Sequence, residues 1–404
     1  MKYVLIGGGP ASVAAAATLR QEDMSSEVTI LCRERFKPYS KMVLPYLLAG
    51  DVQEEDLYLS EPDGVDIRLN QEVVRVDPDA HEVITSSDEH YAYDKLLIAT
   101  GGDAKRLKIE GADLPFVYTI RDIPDVDGIR KQLKGKNGRV AIAGAGPVGM
   151  EIGDALFRLG FDVTFVISSN RVFSTMMDVE AAAFFEKKLA GMGVEVLKGD
   201  DIVRIDEDGT VHLKSGQKRA CEAVIVGKGV NPSISFLAGS GIETNTGIVV
   251  DAYQQTNVAD IYAAGDVAET FDIVHEDQRI NALWPEAEQQ GRIAAFNMAF
   301  MPAAYQGSLS RNILHAFGIS VLSAGMGRAD GPEVLKDEHQ EYFRKIVLED
   351  GILKGLIFVG EVRNEGLFIS LMKRRVDVSA LAPSILKGKY SYSKYLKSAM
   401  AIRA

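Results

Sequence analysis

Two glycine-rich stretches hold the residues best suited to chemistry. The first, YVLIGGGPASVAAAATLR, carries an apolar segment into Gly7, Gly8 and Gly9 and then into an alanine-rich helix pattern opened by Pro10, Ala11 and Ser12. The second, RVAIAGAGPVGMEIGDALFRLGFDVTFV, sets Gly144, Gly146 and Gly149 in full GxGxxG spacing, with Pro147 and Val148 opening the helix. Such a turn aims free backbone N–H groups and the positive end of a helix at a phosphate, and glycine keeps side chains out of the way. One copy is weak evidence. Two copies, each between an apolar strand and a helix, predict two dinucleotide sites in one chain. Ser12 stands where the spacing prefers a third Gly or Ala, and a serine is small enough to keep helix and strand close.

Other candidates flank these turns. The strand EVTILCRE brings Glu34 to a position where a carboxylate accepts hydrogen bonds from a ribose; its alternative is a solvated charge in a loop. After VTFV the corresponding position is Ile167, followed by Ser168 and Ser169, so the usual acidic residue is missing there. Arg171 is a candidate for a 2'-phosphate contact and equally for a structural role. Cys32 and Cys221 are the only cysteines, in no CxxC or metal-ligand spacing. Too few for a four-cysteine iron–sulfur cluster, they are expected to be structural thiols, and no metal site is predicted.

The elements that must position these residues follow from length and composition. A chain of 404 residues, 46% hydrophobic and 25% charged, suits two or three globular domains. It opens directly on a strand, with no signal-peptide pattern, and has no apolar run of about 18 residues to span a bilayer. A cytoplasmic protein is therefore expected. A net charge of -12 argues against nucleic acid as the partner. The charge is uneven: Leu371 to Ala404 holds eight Lys or Arg against one Asp, leaving -19 on the remainder. The repeated strand–turn–helix–strand order predicts an α/β chain with two Rossmann-like domains. In YFRKIVLEDGILKGLIFVGE, alternation around Asp350-Gly351 signals a hairpin within a C-terminal α+β unit.

Four more stretches stand in a telling order: LLIATGG (Leu96 to Gly102), VIVGKGVNPS (Val224 to Ser233), TNVADIYAAGDV (Thr256 to Val267) and WPEAEQQGRIAAFNM (Trp284 to Met298). With the two glycine turns they make the chain resemble the pyridine nucleotide-disulfide oxidoreductases, and within them the rubredoxin and ferredoxin reductases and the flavin domains of nitrite reductases. The resemblance implies an FAD domain over 1–113 and 242–304, an inserted NAD(P) domain over 114–241, and a C-terminal interface domain over 305–404. It assigns FAD to Gly7, Gly9, Pro10, Ala11, Ser12, Glu34, Lys41, Ala99, Thr100, Gly101, Arg121, Gly265, Asp266 and Trp284, with Asp266 on the ribityl chain. It assigns NAD(P) to Gly144, Gly146, Pro147, Val148, Gly149, Glu151, Ser168, Gly227 and Gly229, with NAD(H) favoured over NADP(H). Glu151 matches a glutamate that approaches nicotinamide and flavin; its alternative is a solvated helix carboxylate.

In relatives that reduce disulfides, persulfides or peroxide, a cysteine precedes a GLPY-like segment beside the flavin. Here KMVLPYLLAG puts Met42 in that place. A thioether forms no thiolate, mixed disulfide or sulfenic acid, so thiol mechanisms are not expected. Lys41 takes the place of a basic residue near the flavin, with a surface lysine as its alternative. His315 is read as a packing residue rather than a base. The implied activity is an FAD-dependent NAD(P)H:acceptor oxidoreductase exchanging electrons with a ferredoxin- or rubredoxin-like iron–sulfur protein or subunit. A larger complex acting on a 2-oxoacid such as phenylglyoxylate, or on an aldehyde, is one setting. A free-standing NADH oxidase or diaphorase and a flavin-bearing assembly protein are the alternatives, and homo- and hetero-oligomers both stay open. The tail SILKGKYSYSKYLKSAMAIRA, with Lys387, Lys389, Lys394 and Lys397 among tyrosines, suits docking on an acidic partner or a helix folded on its own domain.

Overall fold

The computed structural model describes residues 1–331, 333–391 and 393. Along the chain, β1 (Lys2–Ile6) leads into α1 (Pro10–Glu22), and β2 (Glu27–Leu31), β3 (Asp66–Arg68) and β4 (Lys95–Ile98) follow. A second series comprises β5 (Val117–Tyr118), α2 (Ile123–Leu133), β6 (Arg139–Ala143), α3 (Pro147–Arg158), β7 (Asp162–Ile167), α4 (Val179–Gly191), β8 (Glu195–Lys198) and β9 (Ala223–Val226). Then come β10 (Ile261–Ala263), β11 (Ala268–Asp272) and α5 (Trp284–Met298). The last strands are β12 (Arg311–Ala316), β13 (Ile319–Gly325), β14 (Val334–His339), β15 (Tyr342–Glu349) and β16 (Ile352–Gly360), before α6 (Glu365–Lys373) and α7 (Ala382–Leu386). By contacts the chain divides into two compact units, Met1–Asp103 with Val230–Ser308, and Ala104–Gly229 with Leu309–Ala404.

In the first unit a five-stranded parallel sheet runs β10-β4-β1-β2-β3. Its central strands are apolar on both faces, as a parallel sheet covered on both sides requires: Leu5, Ile30, Leu96, Leu97, Ile98 and Ile261 are fully buried. Strand order reverses between β1 and β4, which opens a crevice at their carboxyl ends. Gly7 and Ala99 lie at that point. The alanines of α1 let it pack closely along α5, where a Cβ on Gly291 would come within 2.1 Å of the Ala11 carbonyl oxygen.

The second unit repeats the arrangement as β8-β7-β6-β9-β5, all parallel, with its reversal between β6 and β9. Against it stands an antiparallel sheet, β12-β13-β16-β15-β14. The expected hairpin joins β15 to β16, and Asp350 and Gly351 both take positive φ, 50° and 75°, as a tight hairpin turn demands. Several contacts fasten this sheet to the dinucleotide fold, among them a buried hydrogen bond from the Ser323 hydroxyl to the Met176 carbonyl at 2.7 Å. Fully buried Lys345 on β15 pairs with Asp178 at 2.7 Å, and the Phe317 backbone N–H donates to Asp154 at 2.8 Å. His315 differs from expectation: it is exposed on β12 with Nδ1 3.1 Å from Ser320 Oγ, because the strand alternation points it away from the buried face that holds Leu314 and Ala316. Among the described residues, no helix is long and apolar enough to cross a membrane.

Candidate functional site

Each parallel sheet ends in a glycine turn, and local sterics explain its composition. Gly7 adopts φ 109°, and a Cβ there would sit 2.3 Å from the Ala99 carbonyl oxygen. The Ala99 N–H in turn donates to the Ile6 carbonyl, so the turns after β1 and β4 are clamped side by side. Gly8 answers to a different neighbour, since its Cβ would lie 2.7 Å from Cys32 Sγ. Gly144, Gly149 and Gly227 form a mutual contact: a Cβ on Gly144 would meet the Gly227 oxygen at 2.4 Å, one on Gly149 the Gly144 oxygen at 2.5 Å, and one on Gly227 the Gly149 Cα at 3.0 Å. At Gly144 and Gly149 a side chain would strike backbone.

The helix ends that follow are open. Side chains of Asp122 and Asp178 cap α2 and α4 by accepting from the backbone N–H groups of Asp125 and Ala181. By contrast α1 and α3 begin at Gly9 and Gly146 without side-chain caps, and a Cβ on either glycine would meet nothing within 4 Å. Pro10 and Pro147 at the first helical position lack an N–H and have a φ suited to helix entry. Unpaired amides at an unobstructed helix end fit a pyrophosphate, so these residues suit FAD in the first unit and NAD in the second. Ala11 and Ser12 are buried within the first turn of α1, and the Ser12 hydroxyl has no hydrogen-bond partner among the described residues.

Glu34 and Lys41, assigned to different parts of the flavin nucleotide, are brought together. The Lys41 ammonium bonds one Glu34 carboxylate oxygen, and the buried Tyr39 hydroxyl donates to the other at 2.5 Å. Lys41 also lies 5.0 Å from the Tyr39 ring centroid. The folding of segment 33–41 thus ties the lysine to the Glu34 carboxylate. Tyr39 carried no sequence signal of its own.

The remaining assignments divide between the units. Thr100 donates its hydroxyl to the Ser233 carbonyl at 2.8 Å, and Gly101 follows at φ 66°. Gly265 and half-buried Asp266 form the turn after β10. Trp284 opens α5, with Nε1–H donating to Glu288 at 2.9 Å. Arg121 belongs to the second unit, where its backbone N–H donates to Asp125. There Val148 and Ser168 are exposed, and Gly229 has φ 86° with open space around it. Arg171 is engaged locally, donating to the carbonyls of Met177 and Ser174 at 3.0 and 3.1 Å, a structural arrangement rather than a phosphate-binding one.

Glu151 lies one turn into α3. Burial, with Asp154 adding repulsion, pushes its carboxyl up to about 7. Both thiols move away from reactivity: burial pushes Cys32 up to about 12 and Cys221 up to about 11, so neither forms a thiolate near neutral pH. Met42, at the position of the absent thiol, is exposed. Among the described residues no group of three or more His, Cys, Asp or Glu is placed to hold a metal ion. Of the tail lysines, Lys387 and Lys389 are exposed, while Lys394 and Lys397 lie outside the described residues.

Comparison with known proteins agrees with this geometry. Residues 1–291 match the pyridine nucleotide-disulphide oxidoreductase family, and residues 311–376 match the rubredoxin NAD+ reductase C-terminal domain. The NADH-dependent phenylglyoxylate dehydrogenase subunit epsilon of Aromatoleum evansii is 29% identical, over 94% of this chain and 93% of that protein. The rubredoxin-NAD(+) reductase of Pseudomonas putida is 31% identical, over 66% of this chain and 72% of its own. The chain spans about half the length of some other curated relatives, 51% and 48% in two cases. A covalent putidaredoxin reductase–putidaredoxin complex shares the fold, with a TM-score of 0.89, 22% identity, and coverage of 99% of this chain and 98% of that one.

Proposed function

We propose, from the premise that this chain belongs to the pyridine nucleotide-disulphide oxidoreductase family, that it moves electrons between NADH and an external iron–sulfur protein. It is an oxidoreductase with FAD and NADH as cofactors. FAD, when bound, accepts electrons in pairs and releases them singly, which links a nicotinamide to a one-electron carrier. The observation that carries the external acceptor is the state of the thiols: Met42 replaces one, and Cys32 and Cys221 are held protonated by burial. No cysteine of the chain is then available to take the electrons onward.

The chain's own residues have distinct tasks in this reading. The open N-termini of α1 and α3 hold the two pyrophosphates, and Glu34, oriented by Lys41 and Tyr39, receives the FAD ribose. Asp266 holds the ribityl chain. Glu151, poised near neutrality, would supply from its carboxyl the one proton that a flavin takes up beside the hydride from NADH, and would take a proton back when the electrons leave. The three-domain division stated above fits these tasks, with residues 305–404 offering the docking surface. The match to a phenylglyoxylate dehydrogenase subunit supports a place as the flavin subunit of a larger iron–sulfur complex that oxidises a 2-oxoacid.

Anaerobic stopped-flow mixing with NADH, then with a clostridial-type ferredoxin or a rubredoxin, tests this. Rapid flavin bleaching by NADH, followed by reoxidation as the carrier is reduced, is expected. Electrons passing only to oxygen would replace this reading with an NADH oxidase. A flavin that NADH does not bleach would make the cofactor structural.

A further inference from the structure

We propose that Gln290 is a positioning residue that locks the Gly265–Asp266 turn to α1, so that one FAD molecule meets both. The inference rests on the reading of Asp266 as the ribityl ligand. Gln290 lies in the middle of α5 and is only 2% exposed. Its Oε1 accepts from the Gly265 backbone N–H at 2.7 Å, and its Nε2 lies 3.4 Å from Thr270 Oγ1. An amide in a core position is costly unless its polar atoms are engaged, and a leucine or methionine would fill the same space. What the amide adds is a hold on the turn.

That turn needs holding. Gly265 adopts φ 81°, and a glycine is the residue freest to leave such a conformation. Gln290 gives the Gly265 N–H an acceptor. The neighbouring residue on α5, Gly291, abuts the Ala11 carbonyl in the first turn of α1, where no Cβ fits. A Cβ on Gly265 would itself stand 3.4 Å from Ala11 Cβ. Adjacent residues of one helix therefore touch both cofactor-binding segments: Gly291 sets the approach of α1, and Gln290 sets the turn bearing Asp266. The signal in sequence is only the pair QG within WPEAEQQGRIAAFNM, which says nothing of either contact.

Three full-chain variants test the assignment: Gln290→Met, which keeps the volume and loses both hydrogen bonds; Gln290→Glu, which keeps an acceptor for Gly265 and can accept from the Thr270 hydroxyl; and Asp266→Ala. FAD is titrated into deflavinated protein, the visible flavin spectrum is recorded, and NADH affinity and thermal melting report on the rest of the fold. Gln290→Met is expected to weaken FAD about tenfold and to alter the flavin spectrum, with NADH affinity unchanged. Gln290→Glu should recover most of the affinity and the spectrum. If Gln290→Met keeps FAD affinity while Asp266→Ala loses it, the positioning role is overturned and the reading of Asp266 stands. If Asp266→Ala keeps it too, that reading falls. Should Gln290→Met fail to fold, Thr270→Val carries the test: a loss of about threefold supports the hold, and unchanged affinity overturns it.

Discussion

The two glycine turns look alike as motifs and differ in what the surrounding structure demands. In the second, Gly149 is wedged against Gly144 and Gly227, and a Cβ would strike backbone at 2.5 Å. In the first, the equivalent residue is Ser12, fully buried yet accommodated. Two residues further on, the first turn has Ala14, part of a packing face, whereas the second has Glu151 with a carboxyl pushed to about 7. After the next strand the first supplies Glu34, held by Lys41 and Tyr39; the second supplies exposed Ser168. One motif thus stands in two settings: beside a carboxylate held by a lysine and a tyrosine in the first unit, and beside packed glycines and an exposed serine in the second.

Exchanging features between the turns should break this contrast. The largest effect is expected from Gly149→Ser, which installs the first turn's residue in the second: NADH affinity should fall on the order of a hundredfold by equilibrium titration, because the clash is with backbone. The reciprocal Ser12→Gly should leave FAD affinity nearly unchanged, and equal sensitivity at both positions would erase the distinction. Next, Glu34→Ala removes the carboxylate proposed to accept from the ribose and takes it away from the Lys41 ammonium, so the FAD dissociation constant should rise about tenfold. Ser168→Asp should act oppositely in the second turn, lowering the KM for NADH about threefold by adding a ribose acceptor.

The titration of Glu151 has a defined sign. Its folded pKa of about 7 exceeds the ordinary 4.5, so the native state holds the proton more tightly. The stability this brings is complete below pH 4.5 and is lost as pH rises to 7. Glu151→Gln should therefore melt a few degrees higher than the parent at pH 8, with the gap closing toward pH 4.5. A gap independent of pH would show that Glu151 is not the raised group. The smallest effect on the cofactors is expected from replacing Lys387, Lys389, Lys394 and Lys397 with glutamate: NADH should reduce the flavin as before, while transfer to an acidic carrier slows and loses salt sensitivity. Unchanged carrier turnover would remove the tail from docking.

Much of the architecture was legible because it rests on local rules. Apolar strands ending in glycine, Pro10 and Pro147 at helix starts, and Asp350-Gly351 between alternating strands each obey short-range sterics, and each element formed as read. The tail lysines were legible only as charge. Other expectations depended on which loop folds onto which. Nothing in the spacing of Glu34 and Lys41 announced their pairing, because it arises from a loop that doubles back through the buried Tyr39. Arg171 offered a cation for a phosphate, yet the carbonyls of Ser174 and Met177 surround it. His315 followed the strand alternation outward instead of into the core.

By itself the sequence determined that two dinucleotide turns exist, which families of residues line them, and that no cysteine stands where a redox thiol would be. Those properties are written in residue type and near-neighbour spacing, where backbone sterics leave few choices. Only the tertiary structure decided that Cys32 packs against Gly8, where the Lys41 charge goes, that burial raises the Glu151 carboxyl, and that Gln290 accepts from the Gly265 turn. Each of these depends on what is brought within a few ångströms from distant parts of the chain, and on the water that packing removes.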